Sequence, residues 1–252
     1  MIVSSPFDEY VAAHGATRRR GVFGMLVHEL GRRIVGGAFA PGDVLPNEDE
    51  LVDRFGASRT ILRETMKTLA AKGLVEIRPK TGTRVRSAEH WHHTDADVMV
   101  WYYETGPSQA FLDALVDLRR VLEPAAAARA AERGTPREIA AIGDAYREMC
   151  ATIGDKVAHG AADQRFHAAI FAATHNVMLA RMIDLIAIGI YSNTVNAPDS
   201  ILEGQRRSLP FHRGLLAAIR ARDAEAAAAA ASRLLDTWHP VAERVQKARR
   251  CP

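Results

Sequence analysis

Apolar residues near the start of the chain recur at the three- and four-residue spacing of an amphipathic helix. The repeat stops at Gly36-Gly37, a pair that predicts the C-terminal end of this helix. The positions predicted to face the core are Phe23, Leu26, Val27, Leu30 and Ile34.

Two shorter helices and a hairpin are predicted next. Asn47 is predicted to cap the first of these helices, because Glu50 stands three residues later in a capping-box arrangement. Ser58 is predicted to cap the second helix. Short strands over residues 74–78 and 83–86 are separated by a tight turn. This order of elements predicts a winged helix-turn-helix, a module that reads DNA.

After residue 95 the pattern is helical throughout, and long amphipathic helices with short connections predict an antiparallel bundle. The expected fold class is mostly α, with an N-terminal winged helix-turn-helix and a C-terminal antiparallel all-helical bundle. The expected organisation is a flexible segment over 1–18, a DNA-binding domain over 19–87, a linker over 88–94 and a helical domain over 95–248. Helices are predicted over 95–104, 108–132, 136–158, 161–174, 177–195, 202–221 and 224–247.

Composition narrows the class of protein. The chain has 252 residues, enough for two domains, and a net charge of +3 that is unevenly shared. Residues 1–87 contain 14 Lys and Arg against 10 Asp and Glu, an excess too small to establish nucleic-acid binding. The two cysteines match no metal or redox spacing, and no apolar run reaches about 18 residues. A cytoplasmic protein with no membrane partner is expected.

Placement of charge is more informative than its total. Arg59, Arg63 and Lys67 are four residues apart, so they share one face of the second short helix. Arginine can bind guanine with two hydrogen bonds, and lysine suits phosphate. A basic stripe alone would be interpreted as a solvated face, but this one lies between a capped helix and a basic hairpin. The residues predicted to contact DNA are Ser58, Arg59, Thr60, Arg63, Lys67, Lys80, Thr81 and Gly82.

These segments also carry a resemblance to a known family. Residues 45–51, 57–64 and 82–85 read LPNEDEL, ASRTILRE and GTRV, and they resemble the GntR family of bacterial transcription regulators. The resemblance implies a homodimer that binds a palindromic double-stranded DNA operator. Asp49 stands where many relatives have an arginine that touches DNA, so that contact is not expected here.

The helical part resembles the FadR-like branch, which has an FCD domain, in residues 117–132, 163–167 and 212–223. The start of that part, with Asp97-Val98 and Trp101, is most similar to members that respond to sugar acids. The resemblance implies a repressor, not an enzyme, controlled by a small carboxylate such as galactonate. Two rival functions are a metal-dependent hydrolase and an architectural DNA-binding protein with an inert bundle.

A candidate metal site lies in the same region. Asp163 and His167 are four residues apart on one predicted helix, and His212 joins them if its helix is a neighbour. One carboxylate and two imidazoles suit a divalent ion such as Zn, Ni or Mn. Many relatives supply a fourth histidine where this chain has Leu234. Either three side chains hold the ion, with positions open to water or effector, or the cluster is a metal-free polar pocket.

Arg119 matches a family arginine that projects into the effector cavity, where a ligand carboxylate is a natural partner for a buried guanidinium. Asn193 is the second predicted effector contact, in a polar cluster near one helix end. The alternative for Arg119 is a salt bridge with Asp113, Asp117 or Glu123. The other polar members of the cluster are Tyr191, Thr194 and Asn196, and the linker histidines expected to be solvated are His90, His92 and His93.

Overall fold

The structure is a computed structural model that describes residues 21–79, 81–106, 108–196 and 201–237, without the side chains of residues 189, 191–196, 201 and 202. The segment expected to be flexible, 1–18, lies outside these residues. The chain divides into two compact units, one ending before Ser108 and the other beginning there. None of the described helices is long and apolar enough to cross a membrane.

The N-terminal unit contains the predicted winged helix-turn-helix and one further helix. Its two strands form an antiparallel ribbon in which Val75 is opposite Val85 and Arg78 is opposite Gly82. In chain order the elements are α1 (Val22–Val35), α2 (Glu48–Phe55), α3 (Arg59–Ala71), β1 (Val75–Arg78), β2 (Gly82–Val85), a 3₁₀ turn (Ala88–His90) and α4 (Ala96–Thr105).

Local hydrogen bonds fix the turn between α2 and α3. Asn47 Oδ1 accepts from the Glu50 amide at 2.9 Å, and Glu50 Oε2 accepts from the Asn47 amide at 3.1 Å. This reciprocal pair is the predicted capping box. Gly56 ends α2 with a φ of 62°, which a residue without a Cβ adopts at little cost. Ser58 Oγ then accepts from the Ile61 amide at 3.3 Å and starts α3, as predicted.

Helix α4 packs against α1 in the N-terminal unit. Trp101 is fully buried, and its Nε1 donates to His28 Nδ1 at 3.2 Å. The indole ring lies so close to Gly31 that a Cβ added there would overlap it. The sequence-based boundary placed this helix with the effector domain. In the structure the helix belongs to the N-terminal unit, because Trp101 packs on Gly31. These two residues are seventy positions apart, so no local sequence pattern indicates their contact.

The segment expected to be a solvated linker, 88–94, is folded onto the same unit. Tyr102 Oη and His93 Nδ1 are hydrogen-bonded at 2.9 Å, and His93 is half-buried, whereas His90 and His92 are exposed. The buried Lys72 Nζ lies 2.8 Å from Asp95 Oδ1 and 2.6 Å from the buried Oδ2 of Asp97. These contacts join the end of α3 to the start of α4.

The second unit is helical and has one continuous apolar core rich in alanine. Two predicted bounds were wrong: the break expected near Gly160 falls instead between Ala151 and Lys156. Asp155 starts the new helix by accepting from the amides of Val157 and Ala158, and Gly160 is buried inside it. The elements are α5 (Gln109–Arg133), α6 (Pro136–Ala151), α7 (Lys156–Ala172), α8 (Val177–Asn196), α9 (Ile201–Arg220) and α10 (Ala224–Asp236). Residues predicted to extend the last helix beyond 237 lie outside the described part.

The close packing of Gly31 against Trp101 predicts the outcome of adding one methyl group. Gly31→Ala should destabilise the N-terminal unit by about 1–3 kcal/mol, because an overpacked core has to shift the indole ring. Alanine otherwise favours a helix over glycine by up to about 1 kcal/mol. Urea unfolding followed by tryptophan fluorescence measures the change.

The matched control is Gly214→Ala in α9, where nothing lies within 4 Å of the added Cβ. This variant should be as stable as the parent or more stable. Equal effects of the two substitutions would contradict the packing described for Trp101.

Candidate functional sites

Helix α3 presents the predicted basic face to solvent. The side chains of Arg59 and Arg63 are each 64% exposed and that of Lys67 is 67% exposed. The opposite face of the same helix is buried through Leu62 and Leu69. The amphipathic spacing therefore separates a core face from a cationic face, and the three cations lie together on the outer one.

Each of these cations lies beside a carboxylate of the same unit. Arg59 Nη2 is 2.5 Å from Asp49 Oδ1, and Arg63 Nε is 3.2 Å from Glu48 Oε1. Lys67 Nζ is 2.8 Å from a Glu64 carboxylate oxygen. Exposed ion pairs of this kind contribute only about 0–1 kcal/mol. A phosphate or a base edge can therefore replace the carboxylates at small cost.

The remaining residues predicted to contact DNA are also at the surface. Ser58 and Thr60 are exposed at the start of α3, and Thr81 and Gly82 are exposed at the tip of the ribbon. Lys80 lies outside the described residues. The tip turns at Gly82, whose φ of 85° favours glycine. The start of α3 and the tip of the ribbon thus offer exposed hydroxyl groups from Ser58, Thr60 and Thr81.

Helices α5, α7 and α9 bring five polar side chains together inside the second unit. Asp163 Oδ1 lies 3.1 Å from His212 Nε2 and 3.5 Å from His167 Nε2. One potential ligand atom from each of these three residues lies within 4.8 Å of the other two. Arg119 and Glu123 of α5 are buried beside them. The three predicted metal ligands are thus brought together.

Both histidine rings are held by their Nδ1 atoms. His212 Nδ1 lies 3.0 Å from the Ser208 carbonyl oxygen, and His167 Nδ1 lies 3.2 Å from Glu123 Oε2. Phe166 packs edge-on against both rings. Because Nδ1 of each ring faces an acceptor, each Nε2 points to Asp163.

The cluster has the donor set of a divalent cation site. It offers two imidazole nitrogens and a carboxylate in a buried setting, which suits Zn, Ni or Mn. His167 Nε2 makes only a long contact, 3.5 Å, with Asp163 Oδ1. The fourth family position is occupied by Leu234, which is fully buried in the apolar core with Phe166. A fourth ligand from that position is therefore excluded.

Burial and charge shift the pKa values of this cluster in opposite directions. Burial alone would raise the pKa of Glu123, but the positive charges of Arg119 and His167 lower it to about 2. Burial likewise opposes ionisation of Asp163, but hydrogen bonds from His167 and His212 hold its pKa well below the usual value. Burial would lower the pKa of His167, and the carboxylates of Glu123 and Asp163 raise it instead to about 9.

Arg119 forms a salt bridge with Glu123, one of the three carboxylates considered as alternatives to an effector. Its Nε donates to Glu123 Oε1 at 2.5 Å, and the guanidinium is buried. Glu123 was expected only as a partner of Arg119, and its contact with His167 was not predicted. The sequence signal that pointed to Glu123 was its spacing of four residues from Arg119. The side chains of the other proposed effector contact, Asn193, and of its neighbours Tyr191, Thr194 and Asn196 lie outside the described part.

Comparisons with known proteins agree with this geometry. A family profile for "Bacterial regulatory proteins, gntR family" matches residues 24–85, and one for "FCD domain" matches residues 114–237. The Escherichia coli (strain K12) "Galactonate operon transcriptional repressor" is 34% identical over 82% of this chain and 90% of its own. An "Uncharacterized HTH-type transcriptional regulator YieP" from the same strain is 31% identical over 84% of this chain and 91% of its own.

The chain belongs to the GntR family. It is a regulator with an FCD domain, as the resemblance implied. A solved structure titled "Lar controls the expression of the Listeria monocytogenes agr system and mediates virulence" shares its fold, with a TM-score of 0.60. That structure is 19% identical, and the match covers 89% of this chain and 98% of the other.

Membership in the GntR family bears on the two rival functions. The winged unit of this GntR regulator is a DNA-binding module, and both reported curated relatives are transcription regulators. Neither a hydrolase nor an architectural DNA-binding protein is favoured by these relatives.

The raised pKa of His167 predicts how stability depends on pH in metal-free protein. An unfolded imidazole has a pKa near 6.5, and the folded value is about 9. The stabilisation is therefore fully present below pH 6.5 and is lost as the pH rises through about 9. We expect the urea midpoint, measured by circular dichroism with chelator present, to fall over this interval.

The matched control is His175→Asn, at an exposed histidine of the same unit whose φ of 52° asparagine tolerates. This variant should keep the pH dependence, whereas His167→Gln should flatten it. A parent midpoint that stays constant or rises between pH 6.5 and 9 would show that the pKa of His167 is not raised.

Proposed function

We propose that this GntR-family regulator is a homodimeric, cytoplasmic repressor that binds a palindromic operator and is controlled by a small carboxylate. The observation that carries the proposal is the buried cluster of Asp163, His167 and His212, in a chain that also has an exposed cationic recognition helix. The curated relative named for the galactonate operon supports a sugar acid, such as galactonate, as the effector. In this proposal the N-terminal unit reads DNA, with residues 88–106 folded onto it, and the helical unit from Ser108 binds effector and dimerises.

The N-terminal end of α3 enters the major groove in this proposal. Arg59 and Arg63 exchange their carboxylate partners for base edges or phosphates, and Lys67 contacts phosphate. Ser58 and Thr60 offer hydroxyl donors to the DNA backbone. At the ribbon tip Lys80 offers an ammonium, Thr81 a hydroxyl and Gly82 a close approach of the backbone. Each cation already has a carboxylate beside it, so DNA binding replaces one weak ion pair with another contact. The net change in free energy then depends on the DNA sequence.

Asp163, His167 and His212 would hold a divalent cation in this proposal. When bound, such an ion supplies a positive centre that can attract a carboxylate and a hydroxyl oxygen of the effector. Three protein ligands leave coordination positions open, because Leu234 fills the place of a fourth. Arg119 and Asn193 are proposed to contact the effector. Binding changes operator affinity to the extent that the effector prefers one conformational state of the dimer.

Substitution of the recognition arginines tests the DNA-reading face. Arg59→Ala or Arg63→Ala should weaken operator binding by about 1–3 kcal/mol, because each loses a direct base or phosphate contact. Lys67→Ala should instead weaken binding similarly on all sequences and reduce the salt slope by about 1. Fluorescence anisotropy at fixed salt, with DNA selected by the protein from a random pool, measures both effects.

The control for this series is Arg137→Ala, at an exposed arginine of the helical unit. It should bind the selected DNA as tightly as the parent does. Unchanged affinity in both the Arg59 and the Arg63 variant would contradict the proposed orientation of α3.

Effector control is tested by titrating galactonate and related sugar acids into the protein–DNA complex. At least one acid should change operator affinity by about 5–150-fold, the usual range of coupling between two sites. His167→Ala should abolish both this response and the binding of Zn, measured by elemental analysis, and should still bind DNA. A helical circular dichroism signal and a cooperative urea transition equal to those of the parent show that the second unit of the variant is folded.

His175→Asn is again the control and should respond as the parent does. If no sugar acid changes operator affinity in the metal-loaded parent, effector control by this class of ligand is excluded. If His167→Ala responds fully, the ligand binds elsewhere in the protein.

A further inference from the structure

Glu123 is the one carboxylate among the described residues that joins the two halves of the buried cluster. Its Oε1 accepts from Arg119 Nε at 2.5 Å, and its Oε2 lies 3.2 Å from His167 Nδ1. The Glu123 side chain is only 3% exposed, and that of His167 only 2%. An ionised carboxylate in such a place must be paired, and here each oxygen has its own partner.

The position of Glu123 on the His167 ring has a chemical consequence. A neutral imidazole carries its proton on one nitrogen, and an acceptor beside Nδ1 favours the form protonated there. The lone pair then belongs to Nε2, the atom that faces Asp163. A carboxylate that binds the distal nitrogen of a metal-bound histidine also raises the basicity of that ligand.

A second histidine of the cluster shows the same arrangement with a different acceptor. His212 uses the Ser208 carbonyl oxygen of its own helix to hold Nδ1. His167 has no such local acceptor in the described residues and depends on a side chain from α5. The orientation of His167 therefore depends on one carboxylate from another helix, and a substitution can remove it.

We infer that Glu123 is a positioning residue for the cation site, holding His167 with its proton on Nδ1 and its Nε2 directed at the ion. Arg119 holds Glu123 in turn, so the proposed effector arginine and the proposed metal ligand share one carboxylate. This inference rests on the proposed function, because it assumes that the cluster binds a divalent ion.

The first measurement compares two isosteric substitutions in the full-length protein. Glu123→Gln should weaken Zn binding about 10–100-fold, the usual effect of losing a residue that orients a metal ligand. Glu148→Gln is the matched control, because Glu148 also pairs with an arginine, Arg165, but at the surface. Its Zn affinity should equal that of the parent. Titration against a competing chromophoric chelator gives both constants.

The second measurement needs no variant and so does not depend on whether Glu123→Gln folds. In Zn-loaded parent protein labelled with ¹⁵N-histidine, His167 should show a protonated Nδ1 and a metal-bound Nε2. The Nδ1 proton should also be hydrogen-bonded to the Glu123 carboxylate, a contact that a side chain with only a packing role would not make.

The possible failures are distinguishable. If the parent does not bind Zn, both the cation site and the inference are overturned. If the parent binds Zn and Glu123→Gln binds it equally well, or if the ion is found on Nδ1 of His167, only the role of Glu123 is overturned. If Glu148→Gln also weakens Zn binding, the effect comes from the general loss of negative charge, and the role of Glu123 is again overturned.

Discussion

Compensation of buried charge is the constraint on which the second unit depends. Arg119, Glu123, Asp163 and His167 are all buried, in an environment where an unpaired charge is strongly destabilising. Glu123 of α5 pairs with His167 of α7, and Asp163 of α7 pairs with His212 of α9. Arg119 pairs with Glu123 within α5. Removing one partner of a buried ion pair destabilises a protein by about 3–5 kcal/mol. These contacts therefore favour one arrangement of helices α5, α7 and α9, which alanine-rich packing alone would define less well.

The same pairing chemistry has a different effect at the surface. Arg59 of the recognition helix pairs with Asp49 of α2, and Arg119 pairs with Glu123 inside the bundle. Both are arginine–carboxylate pairs with similar separations. The first pair is in water and is weak, so its partners can be exchanged for DNA. The second is desolvated and fixes geometry. Solvent exposure, rather than residue type, separates a contact that can be exchanged from one that holds the site.

The sequence predicted features that depend on neighbours in the chain. The capping box of Asn47 and Glu50, the Ser58 cap and the shared face of the recognition cations are set by spacings of three or four residues, and the structure contains all of them. Gly160 was interpreted as a break because glycine disfavours helices, but the cost is only about 1 kcal/mol and burial of the neighbouring alanines outweighs it.

Features that need distant residues could not be predicted in this way. The packing of Trp101 on Gly31 gives α4 to the N-terminal unit, and it has no local signature. The grouping of Asp163 with His212 required the family resemblance, because their helices are separated by α8 and two turns. The contact of Glu123 with His167 was missed for the same reason, since no spacing indicates which helix supplies the acceptor.

The folded segment between the ribbon and α4 has an evolutionary consequence. Lys72 is bonded to Asp95 and Asp97, and Trp91 Nε1 donates to the Arg86 carbonyl oxygen, so residues 72–105 are cross-linked by side chains on both sides of this segment. A gene fusion that joined a foreign sensor at residue 88 would sever those bonds, remove Trp101 and expose the part of α1 around Gly31. A recombination that preserves the DNA-binding unit must therefore join the foreign sequence after Gly106. Helix α4 is then inherited with the DNA-binding unit.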